Sequence, residues 1–195
     1  MKTIKQSTFL CCLLFLFSVM TVSTAQSFRL DSSNSTLQVD GTSNLHDWDV
    51  KATNQNGKLV VEMDNQTITA INDLEFTVNA ESLKSGKSGM DKNMYKALNT
   101  DKHKQIRFKQ NRVKTLDCST SGDCKVVVSG SLTISGTTKP MDVSFTLKNS
   151  GSKITVNGTK KIKMTDFGID PPKAVFGTIT TGNEVEVKFN SSFVK

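Results

Sequence analysis

Hydrophobic and polar residues alternate along most of the chain, with a period of two residues. Leu59, Val61 and Met63 would share one face of an extended segment, while Lys58 and Glu62 would lie on the other. Such alternation is typical of a β-strand with one face buried. The pattern returns at 37–39, 46–50, 74–80, 106–108, 126–134, 143–147, 154–156 and 185–189. The sequence therefore predicts about eight strands.

Dipeptides that favour turns separate these segments, so neighbouring strands would be joined by short connections. The dipeptides are Asn56-Gly57, Asn72-Asp73, Ser135-Gly136, Ser150-Gly151 and Gly182-Asn183. Short connections favour antiparallel pairing, because parallel pairing needs long crossovers. Since little else in the chain would cover a second sheet face, we expect an all-β domain whose sheet closes into a barrel or splits into a sandwich.

One segment departs from the alternating pattern. Ser88 followed by Asp91 resembles a capping box at a helix start. The apolar residues that follow at near-helical spacing are Met90, Met94, Tyr95 and Leu98. The sequence predicts one short amphipathic helix over residues 89–98.

The first residues have the pattern of a secretory signal peptide. Lys2 and Lys5 precede an apolar run over 9–20, and the small residues Ser23 and Ala25 end it. The run is shorter than the roughly 20 residues that cross a bilayer. We therefore predict a signal peptide over 1–25, cleaved near Ala25, and a single domain over 26–195 that is periplasmic or secreted.

The charge of the predicted mature chain is mildly basic. Removing residues 1–25 takes away two lysines and no acidic residue, which lowers the formal net charge from +7 to +5. The lysines are scattered, and the only dense cluster is Lys160, Lys161 and Lys163. Nucleic-acid binding usually needs a concentrated basic patch with interleaved aromatic residues, so we predict no nucleic-acid partner.

Two cysteines remain after the predicted cleavage, Cys118 and Cys124. An oxidising compartment permits a disulfide between them, and the glycine-containing turn that separates them would bring the sulfurs together. A zinc site would need two further cysteine or histidine ligands, but the two histidines, His46 and His103, lie far apart in sequence. We predict a disulfide, no metal site and no cofactor.

The segment from His46 to Asp49 carries the densest set of chemically versatile residues. On a strand, His46 and Trp48 would face one way while Asp47 and Asp49 face the other, which is awkward for a His-Asp catalytic pair. Either His46 and Trp48 have ordinary structural roles, or both line a ligand cavity. Serine-hydrolase and phosphate-loop motifs are absent from the sequence. We predict no enzyme, and keep His46 as a general base in a less favoured alternative.

The apolar residues are compatible with two kinds of barrel interior. They would either fill a solid core or line an adaptable cavity, and an eight-stranded barrel is wide enough for both. The residues expected to converge in the barrel are Phe76, Met94, Tyr95, Leu98, Phe108, Phe145, Phe167 and Phe176.

Three segments carry a family resemblance. They are the run over 128–140 (VSGSLTISGTTKP), the pair formed by 164–169 (MTDFGI) and 184–187 (EVEV), and the pair formed by 94–98 (MYKAL) and 106–108 (IRF). In their order along the chain these segments resemble the YceI-like family, the lipocalin-like polyisoprenoid-binding proteins of bacterial envelopes. The resemblance implies an eight-stranded antiparallel barrel with an elongated apolar pore for an isoprenoid-type chain. The segment over 37–48 departs from the commoner family pattern, which bears on the ligand more than on the fold.

We therefore expect a non-enzymatic binding or carrier protein for a long apolar isoprenoid or lipid held in the barrel. His46 and Trp48 join the eight apolar residues above as its predicted ligand-binding residues. A transient membrane contact and a homodimer stay open. The alternatives are an envelope interaction module built on a solid barrel and, less favoured, an enzyme that acts on a hydrophobic substrate through His46.

Overall fold

The computed structural model describes residues 24–119 and 122–195, and these form one mostly β structure with a single α-helix. The strands are β1 Thr24–Leu30, β2 Thr36–Ser43, β3 Trp48–Ala52, β4 Gln55–Asp64, β5 Thr67–Asn79, β6 Leu83–Lys84, β7 Gln105–Cys118, β8 Asp123–Ile134, β9 Thr137–Asn149, β10 Lys153–Lys163, β11 Lys173–Ala174 and β12 Ile179–Val194, and the helix is α1 Ser88–Leu98. Short 3-10 turns lie at Ser32–Asn34, Ala80–Ser82, Met164–Phe167 and Val175–Gly177. The predicted signal peptide lies outside the described residues, apart from Thr24 and Ala25 at the start of β1.

Eight of these strands close into an antiparallel barrel. Their order around the barrel is β1-β4-β5-β7-β8-β9-β10-β12, and β12 pairs with β1 where Arg29 lies opposite Val194. The rest of the same edge of β12 pairs with β2, which is followed in the sheet by β3 and β6. The all-β, eight-stranded antiparallel barrel predicted from the sequence is confirmed.

The alternating pattern sets which face of each strand is buried. In β9, for example, Val143, Phe145 and Leu147 are buried while Ser144 and Thr146 are exposed. Successive side chains of a strand point to opposite faces, so a closed barrel buries one set inside and leaves the other in solvent. The described chain therefore folds around its inward-facing apolar residues.

Two of the predicted turns are correct, and three are wrong. Ser135-Gly136 connects β8 to β9, and Ser150-Gly151 lies between β9 and β10. The other three dipeptides, Asn56-Gly57, Asn72-Asp73 and Gly182-Asn183, lie inside β4, β5 and β12. The Asn72-Asp73 and Gly182-Asn183 dipeptides each coincide with a register shift. The β4–β5 pairing shifts at Val60/Val61, and the β12–β2 pairing shifts between Thr181 and Val185.

The predicted helix is confirmed, but its predicted cap is wrong. The cap position is Lys87, which makes no side-chain capping bond, and Ser88 is already helical. Asp91 instead accepts hydrogen bonds from the backbone N–H of Ser85 at 2.8 Å and from its hydroxyl at 2.6 Å. These bonds lower the pKa of Asp91 and tie the first turn of α1 to the segment that leaves β6.

Candidate functional site

One end of the barrel is packed solid. Its core contains side chains that are at most 1 % exposed, drawn from β1, β4, β9, β10 and β12: Phe28, Leu59, Val61, Leu147, Ile154 and Phe193. The Cys118–Cys124 disulfide links facing positions of β7 and β8 at this end, and Cys124 belongs to the same core. The predicted disulfide is present.

The other end is hollow. A cavity of about 780 Å³ lies between the inner faces of the strands and α1, which is within the range of roughly 300–1,000 Å³ usual for small-molecule sites. Met90, Met94, Ala97 and Leu98 of α1 line it. Phe145 of β9, 6 % exposed, lies among both the cavity-lining residues and the packed core.

In the wall of the cavity, three aromatic rings lie over glycines, and this arrangement leaves space in the interior. Trp48 covers Gly41, Phe108 covers Gly130 and Phe189 covers Gly158, and a Cβ atom at any of these glycines would come within 3.0 Å of ring carbons. All three rings line the cavity. The absence of a side chain on the neighbouring strand gives each ring room close to the barrel wall.

Trp48 is further fixed by a hydrogen bond. Its indole Nε1–H donates to the carbonyl oxygen of Thr42 at 2.9 Å. The indole belongs to the apolar cluster around the buried side chains of Val50, Val78 and Leu83. The chain has one tryptophan, so its fluorescence reports on this part of the cavity.

Eight of the ten predicted ligand-binding residues line the cavity. They are His46, Trp48, Phe76, Met94, Leu98, Phe108, Phe145 and Phe167. Phe167, 2 % exposed, lies in a 3-10 turn and packs with Ile134 and Ile169 at the side of the cavity next to α1. The contact of these side chains with a ligand stays a prediction.

The structure corrects the predicted position of Tyr95. It is not among the lining residues of the cavity; its hydroxyl lies 2.9 Å from the carbonyl oxygen of Glu81 and 2.8 Å from that of Leu83. Lys84 donates a hydrogen bond to the same hydroxyl at 2.6 Å, which raises the pKa of Lys84. Tyr95 therefore anchors α1 to the chain around β6.

The predicted interior position of Phe176 is wrong. Its side chain is fully exposed, in a turn where Val175 and Phe176 both have positive φ angles, 50° and 52°. Hydrogen bonds between Asn44 and Thr178 and between Asn44 and Thr180 hold this loop against the loop that contains Leu45. Leu45 is 65 % exposed and Val175 is 61 % exposed.

His46 lies at the cavity mouth, which is marked by the exposed lining residues His46, Lys87, Lys92 and Lys173. Its Nδ1 is 2.7 Å from the carbonyl oxygen of Asp47. Among the described residues, no carboxylate forms an ion pair with it. A general base is usually oriented by such a partner, so this geometry gives the His46 enzyme alternative no support.

The cavity is strongly biased in charge. Its described lining contains no aspartate or glutamate, but it contains four lysines, Lys87, Lys92, Lys160 and Lys173. The sequence pattern did not indicate the inward position of Lys160, because this residue stands with Lys161 and Lys163 in one dense lysine cluster. Extending the alternation of Ile154 and Val156 along β10 would have placed it on the inner face.

No group of three or more His, Cys, Asp or Glu side chains is arranged to hold a metal ion in the part of the chain that the structure describes. In the same ranges, no helix has the length and apolar character needed to span a bilayer.

Comparison with known proteins identifies one matching family model and several solved structures of similar fold. The model of the YceI-like domain matches residues 28–193. None of the curated proteins matches the sequence. A solved polyisoprenoid-binding domain from Saccharophagus degradans, implicated in plant cell wall breakdown, superposes with a TM-score of 0.66 at 15 % identity, covering 86 % of this chain and 97 % of that one.

Two further solved structures are similar. BcnA of Burkholderia cenocepacia gives a TM-score of 0.65 at 15 % identity, covering 84 % of this chain and 98 % of its own. The YceI protein of Campylobacter jejuni gives a TM-score of 0.56 at 13 % identity, covering 100 % of this chain and 99 % of its own. At these identities the likeness establishes the shared barrel.

Proposed function

The chain belongs to the YceI-like domain family, and from this premise we propose that it binds a long apolar isoprenoid or lipid in its barrel and carries or sequesters it outside the cytoplasm. The observation that supports this most directly is the cavity of about 780 Å³ between α1 and the inner faces of the strands. Binding of this kind needs no catalysis, because transfer of an apolar chain from water to such a cavity is itself favourable. The cavity also contradicts the solid-barrel alternative.

The proposal predicts that binding affinity depends on the length of the ligand's isoprenoid chain. Each buried CH₂ contributes about 0.8 kcal/mol, so one five-carbon isoprene unit contributes up to about 4 kcal/mol before ordering costs. We expect the affinity to rise by at least about 10-fold from geraniol to farnesol and again to geranylgeraniol, as long as the added unit fits. The measurement is displacement of the neutral fluorescent probe N-phenyl-1-naphthylamine from the purified protein.

A matched pair of variants locates the binding. Phe145→Trp enlarges a side chain that faces the cavity, and Ser144→Trp places the same side chain on the outer face of the same strand. We expect Phe145→Trp to weaken probe binding at least about 10-fold and Ser144→Trp to leave it unchanged, with both variants folded by circular dichroism. Equal binding by the two variants would contradict a ligand in the barrel interior.

The proposed location outside the cytoplasm is supported by the disulfide. Cys118 and Cys124 are bonded, and structural disulfides persist mainly in oxidising compartments. Fractionation of the native host, with the N-terminal residue of the mature chain identified by mass spectrometry, tests this. A mature chain that still begins at Met1 in the cytoplasmic fraction would contradict it.

We also propose a transient contact between the cavity mouth and an anionic bilayer. Leu45, Val175 and Phe176 expose apolar surface on two hydrogen-bonded loops beside the mouth, and the exposed lysines Lys87 and Lys173 lie at the same mouth. Two non-glycine residues with positive φ cost about 1–3 kcal/mol each, a strain that is typical of functional segments. The positive charge complements anionic lipid head groups.

Co-sedimentation with phosphatidylglycerol vesicles tests this contact. We expect Phe176→Asp to abolish sedimentation, whereas Thr115→Asp, at an exposed position of β7, leaves it unchanged. If Phe176→Asp changes the oligomeric state on a sizing column but not the sedimentation, the loops form a face between copies of the chain and the membrane proposal is wrong.

A further inference from the structure

Lys160 belongs to the inner face of the barrel. In the sheet register it lies opposite Val187 of β12. Val187 in turn lies opposite Val39 of β2, and Val39 lies opposite Val50 of β3. Residues that lie opposite each other in a sheet point to the same face. Val39, Val50 and Val187 all line the cavity, so Lys160 continues an otherwise aliphatic row of its wall.

This row lies below the rim of the cavity. The neighbouring row toward the mouth contains Ile162, Val185, Gly41 and Trp48, and the neighbouring row toward the packed end contains Gly158, Phe189 and Leu37. The row of Lys160 therefore lies one step deeper in the barrel than the row of Trp48. In keeping with this, Lys160 is only partly exposed, unlike the lysines at the mouth.

Lys160 has no ionic partner among the described residues. The outward-facing lysines next to it do have partners: Lys161 pairs with Glu184 at 3.2 Å, and Lys188 pairs with Asp40 and Glu186. The pKa of Asp142 is lowered mainly by its hydrogen bond with Lys114 at 2.6 Å and only slightly by the charge of Lys160, and this carboxylate lies on the outer face. The charge of Lys160 is thus left unmatched at the cavity.

The barrel wall has a side cleft at the same place. Pairing between β9 and β10 ends at Phe145 and Gly158, and beyond that point a cleft of about 280 Å³ separates the two strands. Lys160 lines both this cleft and the main cavity. Lys139, Lys161 and Asp166 also line the cleft, but only Lys160 among the described charged residues of the cleft lines the main cavity as well. Asp166 forms no ion pair with Lys160 among the described residues.

A lysine in an apolar wall is costly unless its ammonium finds water or an anion. Lys160 lies between an apolar cavity that can hold an apolar chain and a polar cleft that can hold a charged group. We propose that Lys160 binds the anionic head group, phosphate or carboxylate, of an amphiphile whose apolar chain lies in the main cavity. The inference rests on the proposed function and specifies the ligand class.

Three competitors with the same chain test the head group. Geranylgeraniol, geranylgeranoic acid and geranylgeranyl phosphate are each used to displace N-phenyl-1-naphthylamine from the full mature protein. We expect at least one of the anions to compete about 10-fold or more better than the alcohol, which is the usual scale of a charge-assisted hydrogen bond. The ratio between the acid and the phosphate then distinguishes the two head groups.

Substitutions at two lysines of β10 assign the preference to Lys160. Lys160→Met retains an apolar stem and removes the charge, so it should abolish the preference for the anion while leaving geranylgeraniol binding intact. Lys160→Arg should retain the preference, and Lys163→Met, at an exposed outward-facing position of β10 that lines neither the cavity nor the side cleft, should leave it at the wild-type value.

The outcomes distinguish failure of the head-group inference from failure of the proposed function. If the probe binds and the alcohol competes as well as both anions, or if Lys160→Met keeps the preference, the head-group inference is overturned while the apolar cavity stands. If neither the probe nor geranylgeraniol binds, the proposed function fails and the inference fails with it.

Discussion

Single residues determine how much of the barrel is empty. Trp48, Phe108 and Phe189 each occupy the space that a side chain on the facing glycine would need. Large and small residues are paired across strands here so that rings lie near the wall, whereas at the packed end Phe28 and Phe193 fill the interior. The same chemical type of residue therefore fills one end of the barrel and lines a cavity at the other.

Gly41→Ala tests this pairing. The new methyl group would overlap the Trp48 ring, so we expect a loss of about 1–3 kcal/mol in the free energy of unfolding and a changed Trp48 fluorescence maximum. Urea unfolding measures the first. Gly89→Ala is the matched control, because nothing lies within 4 Å of its Cβ position in the first turn of α1, and it should not lower the free energy of unfolding. Unaltered stability of Gly41→Ala would show that the ring is free to move away.

Surface carboxylates give a second prediction, for acid pH. The hydrogen bond from Lys109, at 2.7 Å, lowers the pKa of Glu75 below its usual value of 4.5. Because the folded pKa is depressed, this group contributes stability above the unfolded pKa and loses that contribution as the pH falls through the folded pKa. We expect Tm to fall as the pH falls below about 4.5, and to fall less steeply in Glu75→Gln. Scanning calorimetry between pH 6 and pH 2.5 measures both, and identical slopes would contradict the assignment.

At the scale of elements, the β7–β8 hairpin and α1 have different tasks. The disulfide closes the hairpin at the packed end, where Cys124 is 1 % exposed, while α1 borders the cavity with four apolar residues. Changes in the first should affect stability, and changes in the second should affect ligand exchange.

Replacing both Cys118 and Cys124 by alanine separates these tasks. The short loop between them limits the entropic stabilisation to about 2 kcal/mol, so we expect a loss of about that size in urea unfolding. Binding of N-phenyl-1-naphthylamine should stay within about twofold of the wild type, because the hollow end does not depend on this link. A large loss of binding by a variant that remains folded would show that the two ends are coupled.

Tyr95→Phe tests the anchoring of α1. The variant removes the hydroxyl that bridges the carbonyl oxygens of Glu81 and Leu83, so α1 should open more often. We expect faster hydrogen exchange over 88–98 and a dissociation rate for bound geranylgeraniol that rises about 5- to 10-fold. Lys96→Ala, an exposed change on the same helix, should alter neither, and an unchanged dissociation rate in Tyr95→Phe would show that ligands exchange by another route.

The sequence predicted these elements where the period of hydrophobicity was clear, and failed where another constraint overrode it. The alternation at Val143, Phe145 and Leu147 located a strand correctly, but Asn56-Gly57 resembled a turn although Gly57 lies within β4, close to the rings of Phe76 and Phe193. The inward position of Lys160 was not predicted, because Gly158 and Lys160 interrupt the apolar series on the inner face of β10. Phe176 lies in an irregular loop, where no period indicates which way a side chain points.

At the scale of the whole molecule, the barrel consists of a solid end that holds the fold and a hollow end that is available for a ligand. Closure of β12 onto β1 occurs at the solid end, where Leu30 lies opposite Phe193. The residues that stabilise the fold are therefore at the opposite end from the cavity, the mouth lysines and Lys160. A homodimer stays a prediction, and the vesicle experiment distinguishes it from a membrane contact.

Native mass spectrometry of the protein purified from its host tests the central claim most directly. We expect a population heavier than the ligand-free protein by the mass of one lipid, which is released on collisional activation and identified by fragmentation. Phe145→Trp should greatly reduce this population, while Ser144→Trp should carry it at the wild-type level. A protein that is free of lipid in every preparation, and that binds no added geranylgeraniol, would contradict the account.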